Sequence, residues 1–399
     1  MGEASPKPAG IPMRRRDLLT LVAGALLEPS AVARAAIDRA SLTDLDGVVK
    51  RGLAATHTPG LAVAMIRADR TLLAKGYGYA DVDAVRRVQA DTAFYVASVA
   101  KVLTATVLMM LWEERAFALD DPVGPRLDFP LSHPRYPDVP ITFRQLLTHT
   151  SGISDQQLFS VDPSTLPSQL REFLISYLTP SGHSYDPDRC FGAMPGKTWR
   201  YCTVGYALLG HLVGLVGPAP LDTVSKRRLF APLGMKDTAW RYEGLKSDKV
   251  AELYEFKNGQ LKRPPRPSYP DWPGGLLVTS AADFAKLLGV FTQDGASILK
   301  PGTVSSMLTP EPVTVDEHDP LIGQGDPLIG QGLMWELRSN HGIDLATKRG
   351  SDSGATSLVV IDPARQTAAL VFANATPSRE MVAFEGELTQ LLLAKASQT

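Results

Sequence analysis

Strand-like segments stand near both ends of this chain, and a long stretch punctuated by proline and glycine separates them. Leu61 to Ile66 and Thr71 to Tyr79 are rich in branched and aromatic residues, with polar Arg67 to Arg70 as the turn between them. Leu333 to Leu337, Ile343 to Lys348, Ser357 to Ile361 and Ala368 to Phe372 read as successive strands, and Arg379 to Ala394 as an amphipathic closing helix. From Phe117 to Tyr269 short helical patterns such as Thr142 to Leu147 and Val204 to Leu215 predominate. Strands that cannot complete a sheet locally must pair across the sequence. The expected fold is therefore α+β: an antiparallel sheet flanked by helices, built from residues 36–95 and 274–399, with an inserted mostly helical domain over 96–273.

Ala97 to Glu114 is apolar nearly all round, which suits a helix inside a core. Ser98 opens it, and Ser98-Val99-Ala100-Lys101 places a lysine three residues on, on the same face. Serine needs a base to become a nucleophile. A lysine in apolar surroundings loses its preference for the charged form and can serve as one. The same spacing recurs at Ser297 to Lys300, but Pro301-Gly302 follows at once and breaks the helix. The start of a long helix also favours an anionic oxygen at Ser98.

Two further runs join this pair: Pro195 to Tyr206, holding Tyr201-Cys202-Thr203, and Lys348-Arg349-Gly350-Ser351-Asp352. Together the three motifs resemble, in order and separation, the serine β-lactamase and penicillin-binding superfamily. The similarity is to the branch of class C β-lactamases, DD-peptidases and related esterases. Leu146 to Ile153, Pro232 to Met235, Gly274 to Leu276 and Gly332 to Trp335 add to the resemblance, which runs from about residue 50 to the C-terminus.

The resemblance implies an acyl-enzyme on Ser98, with Lys101 and Tyr201 sharing the proton traffic and neither singled out as the base. It implies an oxyanion hole from the backbone N–H groups of Ser98 and Ser351. Lys348 and Gly350 would line the site on an edge strand, with Lys348 facing a substrate carboxylate. Two departures stand out: Thr203 replaces an asparagine, and Arg349 replaces a threonine. Arg349 should point away from the site if Lys348 points in. Asp352 is expected to neutralise part of the cationic site. β-Lactams and acyl-D-alanyl peptides suit Lys348, whereas Thr203 leans toward short-chain esters. A non-turnover penicillin-binding sensor is the remaining alternative on the same scaffold.

Other chemistries lack their residues. Gly192 to Thr198 resembles a phosphate-binding loop but is one residue short between its glycines. Gly-x-Ser-x-Gly occurs nowhere, so no nucleophile elbow is present. His149 lies in a Thr-His-Thr-Ser-Gly run suited to local backbone bonding and reads as structural. No histidine pair has zinc spacing, and neither a metal nor an organic cofactor is implied. A net charge of −1 gives nucleic-acid binding no support, leaving a small acyl substrate as the expected partner.

Arg14-Arg15-Arg16 precedes the short apolar run Leu18 to Leu27, and Ala33-Arg34-Ala35 offers a cleavage site. Residues 1–35 thus read as a twin-arginine-like export signal, with a periplasmic or secreted destination; an uncleaved anchor is the alternative. Cys190 and Cys202 are expected as separate thiols. Asp319 to Gly325 (DPLIGQG) is repeated unchanged at Asp326 to Gly332, and the repeat reads as a duplication in a surface loop.

Overall fold

The computed structural model describes residues 44–293, 295–315, 328–340 and 342–399. The export-like segment and the first copy of the heptapeptide lie outside the described residues.

The chain enters through helix α1 (Leu45–Ala55), whose first turn is capped by Asp44 accepting from Gly47 N. Strands β1 (Gly60–Arg67) and β2 (Arg70–Asp81) follow as a hairpin, with the short β3 (Arg86–Arg87) beside β2. Near the other end come β4 (Leu328–Gln331), β5 (Glu336–Asn340), β6 (Ile343–Asp352), β7 (Ala355–Asp362) and β8 (Thr367–Ala373). They form one eight-stranded sheet in the order β4-β5-β6-β7-β8-β1-β2-β3, every neighbour antiparallel. The two ends of the chain meet at β1 and β8, in register Leu61 with Ala373 through Arg67 with Thr367.

Burial on both faces explains why β1, β7 and β8 read as near-continuous apolar runs rather than alternating ones. Leu61 and Val63 pack with Val371, Phe384, Leu388 and Leu392 beneath the C-terminal helix, here called αC (Arg379–Gln398). Ala62, Ala64 and Ile66 face the other way, into the core that holds Phe284, Leu370 and Phe372. Small Ala side chains there let the helix Ala281–Thr292 lie close against the sheet.

Helix α2 (Ala100–Glu113) has every residue from Ala100 to Leu111 buried, as its apolar surface requires. It packs against α3 (Thr203–Val216), another core helix, and the two carry the larger hydrophobic cluster away from the sheet.

The sheet departs from the sequence reading at Gly332 to Trp335. The expected strand Leu333–Leu337 begins too early: Leu333 to Trp335 lie in a turn between β4 and β5, and the strand starts at Glu336. Met334 there has φ 87°, and its N–H donates to Leu147 O at 3.0 Å. A Cβ on Gly332 would stand 2.2 Å from Met307 O, so the chain bends where only glycine fits. The surface-loop reading of the heptapeptide is also corrected at its second copy. Leu328 to Gln331 form edge strand β4, and buried Gln331 accepts from Trp199 Nε1 at 2.8 Å. Among the described residues no single helix is long and apolar enough to cross a membrane.

Candidate active site

From Thr92 to Leu111 every residue is buried except Ser98, which is half-buried. It sits in a tight 3-10 turn, Ala97–Val99, that leads into α2 rather than in the α-helix itself. Residues i and i+3 eclipse in such a turn. Ala97 holds φ 45°, a left-handed conformation uncommon outside glycine and often found where a site is built under strain.

Lys101 Nζ lies 3.2 Å from Ser98 Oγ, so the sequence pair meets in space. The amine also donates to Gly274 O at 2.6 Å and approaches Thr203 Oγ1 at 3.5 Å. A Cβ on Gly274 would press on Thr203 Cγ2 at 2.7 Å, so glycine is what lets its carbonyl reach the amine. Complete burial, then the nearby Lys348 charge, lower the Lys101 pKa to about 7.

Tyr201 precedes α3, and the nearby Ser98 side chain favours its ionised form. Its ring lies between the two amines, 4.9 Å from Lys101 Nζ and 4.4 Å from Lys348 Nζ. Burial pushes its phenol well above the ordinary tyrosine value and outweighs the opposing influence of Ser98.

Two residues position this segment. His149 packs against the Tyr201 ring in a tilted arrangement at 4.6 Å between centroids, and its Nδ1 accepts from Cys202 N at 3.1 Å. Burial, then the Lys348 and Lys101 charges, hold its pKa well below the usual histidine value. This geometry agrees with the structural reading. The second, Asp155, was missed. Its carboxylate accepts from Thr203 N at 2.6 Å and Val204 N at 3.0 Å, capping α3. Its only trace in the sequence is an acidic residue in a turn-like run. Cys190 and Cys202 are separate thiols, both buried.

β6 brings the third motif. Lys348 and Gly350 share one strand face. A Cβ on Gly350 would stand 2.2 Å from Val96 O and 3.1 Å from Ser98 N, so the strand runs directly against the nucleophile turn. Arg349 points to the opposite face and pairs with Glu385 of αC. The expectation of an edge strand needs correction: β6 lies between β5 and β7. β5 pairs only Ile343 to Thr347, so Lys348 to Asp352 alone present an open edge toward Ser98. Ser351 falls within that edge.

The charge arrangement also differs from expectation. Lys348 is 2 % exposed and bonds Glu336 Oε1 at 2.8 Å, while Arg338 holds Glu336 Oε2 at 2.8 Å. Burial raises the Glu336 pKa, but the two cations outweigh it and hold the carboxyl far below its usual range. Glu336, not Asp352, is the counter-charge to Lys348. Asp352 instead accepts from Tyr95 Oη at 2.7 Å, because the strand end tucks it against that ring. Among the described residues no three His, Cys, Asp or Glu side chains are placed to hold a metal ion.

A Ser–Lys–Tyr cluster with a buried lysine, between a helical layer and the end of an antiparallel sheet, defines a β-lactamase/transpeptidase-like protein. A sequence profile of the Beta-lactamase family matches residues 45–394, and the chain belongs to that family, in the serine β-lactamase and penicillin-binding superfamily of hydrolytic enzymes. It is 26 % identical over 353 residues to Unguisins hydrolase ungD' of Aspergillus campestris, a match spanning 84 % of this chain and 62 % of that one. In structure it is similar to an octameric penicillin-binding protein homologue from Pyrococcus abyssi. There the TM-score is 0.72 and the identity 26 %, over 86 % of this chain and 76 % of that one. A D-amino acid amidase from Ochrobactrum anthropi SV3 shares the fold at 22 % identity and TM-score 0.69, over 89 % and 98 % of the chains.

Proposed function

We propose that this protein hydrolyses small acyl esters or amides through an acyl-enzyme on Ser98. The observation that carries the reading is the Lys101 amine 3.2 Å from Ser98 Oγ, in a buried setting that brings its pKa to about 7. A base poised near the operating pH is the most effective kind. Lys101 takes the Ser98 proton as Oγ attacks the carbonyl carbon. The hydroxyl of Tyr201, which stays protonated, relays that proton to the departing alcohol or amine. Water then adds to the acyl carbon, giving one proton to the base as Ser98 regains its own, and the acid leaves. The N–H groups of Ser98 and Ser351 hold the oxyanion.

The sequence motifs favour carboxylate-bearing amides, β-lactams or acyl-D-alanyl peptides, with Lys348 as anchor. The Glu336–Lys348 pair speaks for the ester reading, because a substrate carboxylate must compete with a carboxylate already seated on that amine. The names of the relatives, a hydrolase and an amidase, agree with acyl transfer to water. Export by the N-terminal segment belongs to the same proposal.

The test compares a chromogenic cephalosporin with a short-chain p-nitrophenyl ester, using Ser98→Ala as control. Ser98-dependent turnover of the ester above the cephalosporin is the expected result. Cephalosporin turnover in excess would restore Lys348 as a carboxylate anchor. Stoichiometric acylation without turnover would make the protein a sensor.

A further inference from the structure

Asp352 is a carboxylate 8 % exposed, one residue beyond Ser351, and among the described residues no Lys, Arg or His forms an ion pair with it. Its partners are neutral donors: Tyr95 Oη at 2.7 Å, Ser353 N at 2.8 Å and Tyr269 Oη at 3.5 Å. A carboxylate offers about four acceptor positions, so one remains. The cation in the neighbouring aromatic group, Arg266, stands over the Tyr242 ring at 5.0 Å and bonds Glu252 Oε1 at 2.8 Å. A buried carboxyl group held by neutral groups alone is unusual, since such groups normally find a counter-ion.

Its position on the strand says which counter-ion would fit. Asp352 shares a face with Lys348 and Gly350, the face that meets the Ser98 turn. Along β6 the order is Lys348, then the Gly350–Ser351 stretch beside Ser98, then Asp352. Each residue advances the strand by about 3.3 Å. A carbonyl held at Ser98 and the Ser351 N–H therefore has Lys348 about three residues to one side and Asp352 next to it on the other. On that spacing the carbon adjacent to the carbonyl can carry a group to the Asp352 side of the nucleophile, away from Lys348.

We propose that Asp352 selects acyl groups carrying a protonated amine on the carbon next to the reacting carbonyl, that is, α-amino esters or amides. This rests on the acyl-enzyme reading above and names its substrate class. The Tyr95 and Tyr269 hydroxyls hold the carboxylate in place, and the substrate ammonium supplies the missing positive charge. Acetylating the amine removes that charge without altering the scissile bond.

The experiment measures benzyl alcohol release from alanine benzyl ester, both enantiomers, and from the N-acetyl counterparts. The enzymes are the wild-type protein, Ser98→Ala and Asp352→Asn. Asparagine removes the charge, keeps an acceptor oxygen for Ser353 N and turns an amide NH2 to the Tyr95 hydroxyl, which can accept from it. The wild type is expected to favour one free-amine enantiomer over its acetylated form by about tenfold or more in kcat/KM, about 1.4 kcal/mol. Asp352→Asn is expected to lose that preference while turning over the acetylated ester within about twofold of wild type, a separation that purely structural damage does not produce. An equal fall for both esters in Asp352→Asn, or a wild-type preference for the acetylated ester, overturns the assignment but leaves the acyl-enzyme reading standing. No Ser98-dependent release from any ester overturns both.

Discussion

Glu336 Oε1 lies 2.8 Å from Lys348 Nζ, and the two are joined by Arg338 in a buried trio that keeps one net positive charge beside Lys101. The trio ties the stability of the sheet edge to the chemistry of the site, because its charge is among the influences on the Lys101 pKa.

Removing the acid exposes that link. Glu336→Gln leaves Lys348 and Arg338 facing each other, and loss of one partner of a buried pair typically costs about 3–5 kcal/mol. The Glu336 pKa is depressed on folding, so its stabilisation is present above the unfolded carboxyl value. It is lost as pH falls through the lower folded value. Urea unfolding of wild type and variant should differ most near neutral pH and converge on acidification.

The base has its own signature. With Lys101 at about 7, kcat/KM on a neutral ester should rise with pH through that region and then level off. Lys348→Ala removes a neighbouring cation and frees the Glu336 carboxylate, and both changes favour the charged ammonium. The rising limb should therefore move to higher pH. A shift to lower pH would mean that Lys101 is not the group being titrated.

Gly350→Ala tests the strand's approach to the nucleophile. The added methyl would stand 2.2 Å from Val96 O, a backbone atom with no rotamer to escape into. Overpacking of this kind costs about 1–3 kcal/mol. Displacing a reacting group by about 1 Å can cost about 10²-fold in rate. Activity should fall by that order while the far-ultraviolet circular dichroism is retained.

The two heptapeptide copies should behave differently. Deletion of Asp319 to Gly325 leaves β4 its own residues, and melting temperature and activity should be unchanged. Gln331→Leu strands the Trp199 indole N–H and removes a donor from Gly332 O and from Trp335 O, of which Trp335 O keeps the Gly332 N–H. A loss of about 1–3 kcal/mol in urea unfolding is expected.

Much of this site was legible because its parts are local. Ser98 and Lys101 declare themselves by spacing, and the strands β1, β7 and β8 by runs of apolar residues. Arg349 was placed on the back of β6 by alternation alone. What escaped depends on distant contacts. Asp155 caps a helix 48 residues away, and nothing in its own neighbourhood says so. Glu336 answers Lys348 across a strand pair, but the expected strand started too early because the turn at Met334 is set by Leu147. Asp352, expected against the cationic site, is held instead by Tyr95, 257 residues earlier in the chain.

The pairing of β1 with β8 bears on how the protein comes into being. Asn374 Nδ2 reaches back to Tyr79 O, 295 positions earlier. During synthesis β1 and β2 leave the ribosome long before the strand that flanks them exists, and that side of the hairpin stays open meanwhile. The Ser98 turn lies against Gly350 of β6, a late-emerging strand, so an incomplete chain has no assembled catalytic site. A nascent chain is thereby silent toward acyl compounds around it until its last strands arrive.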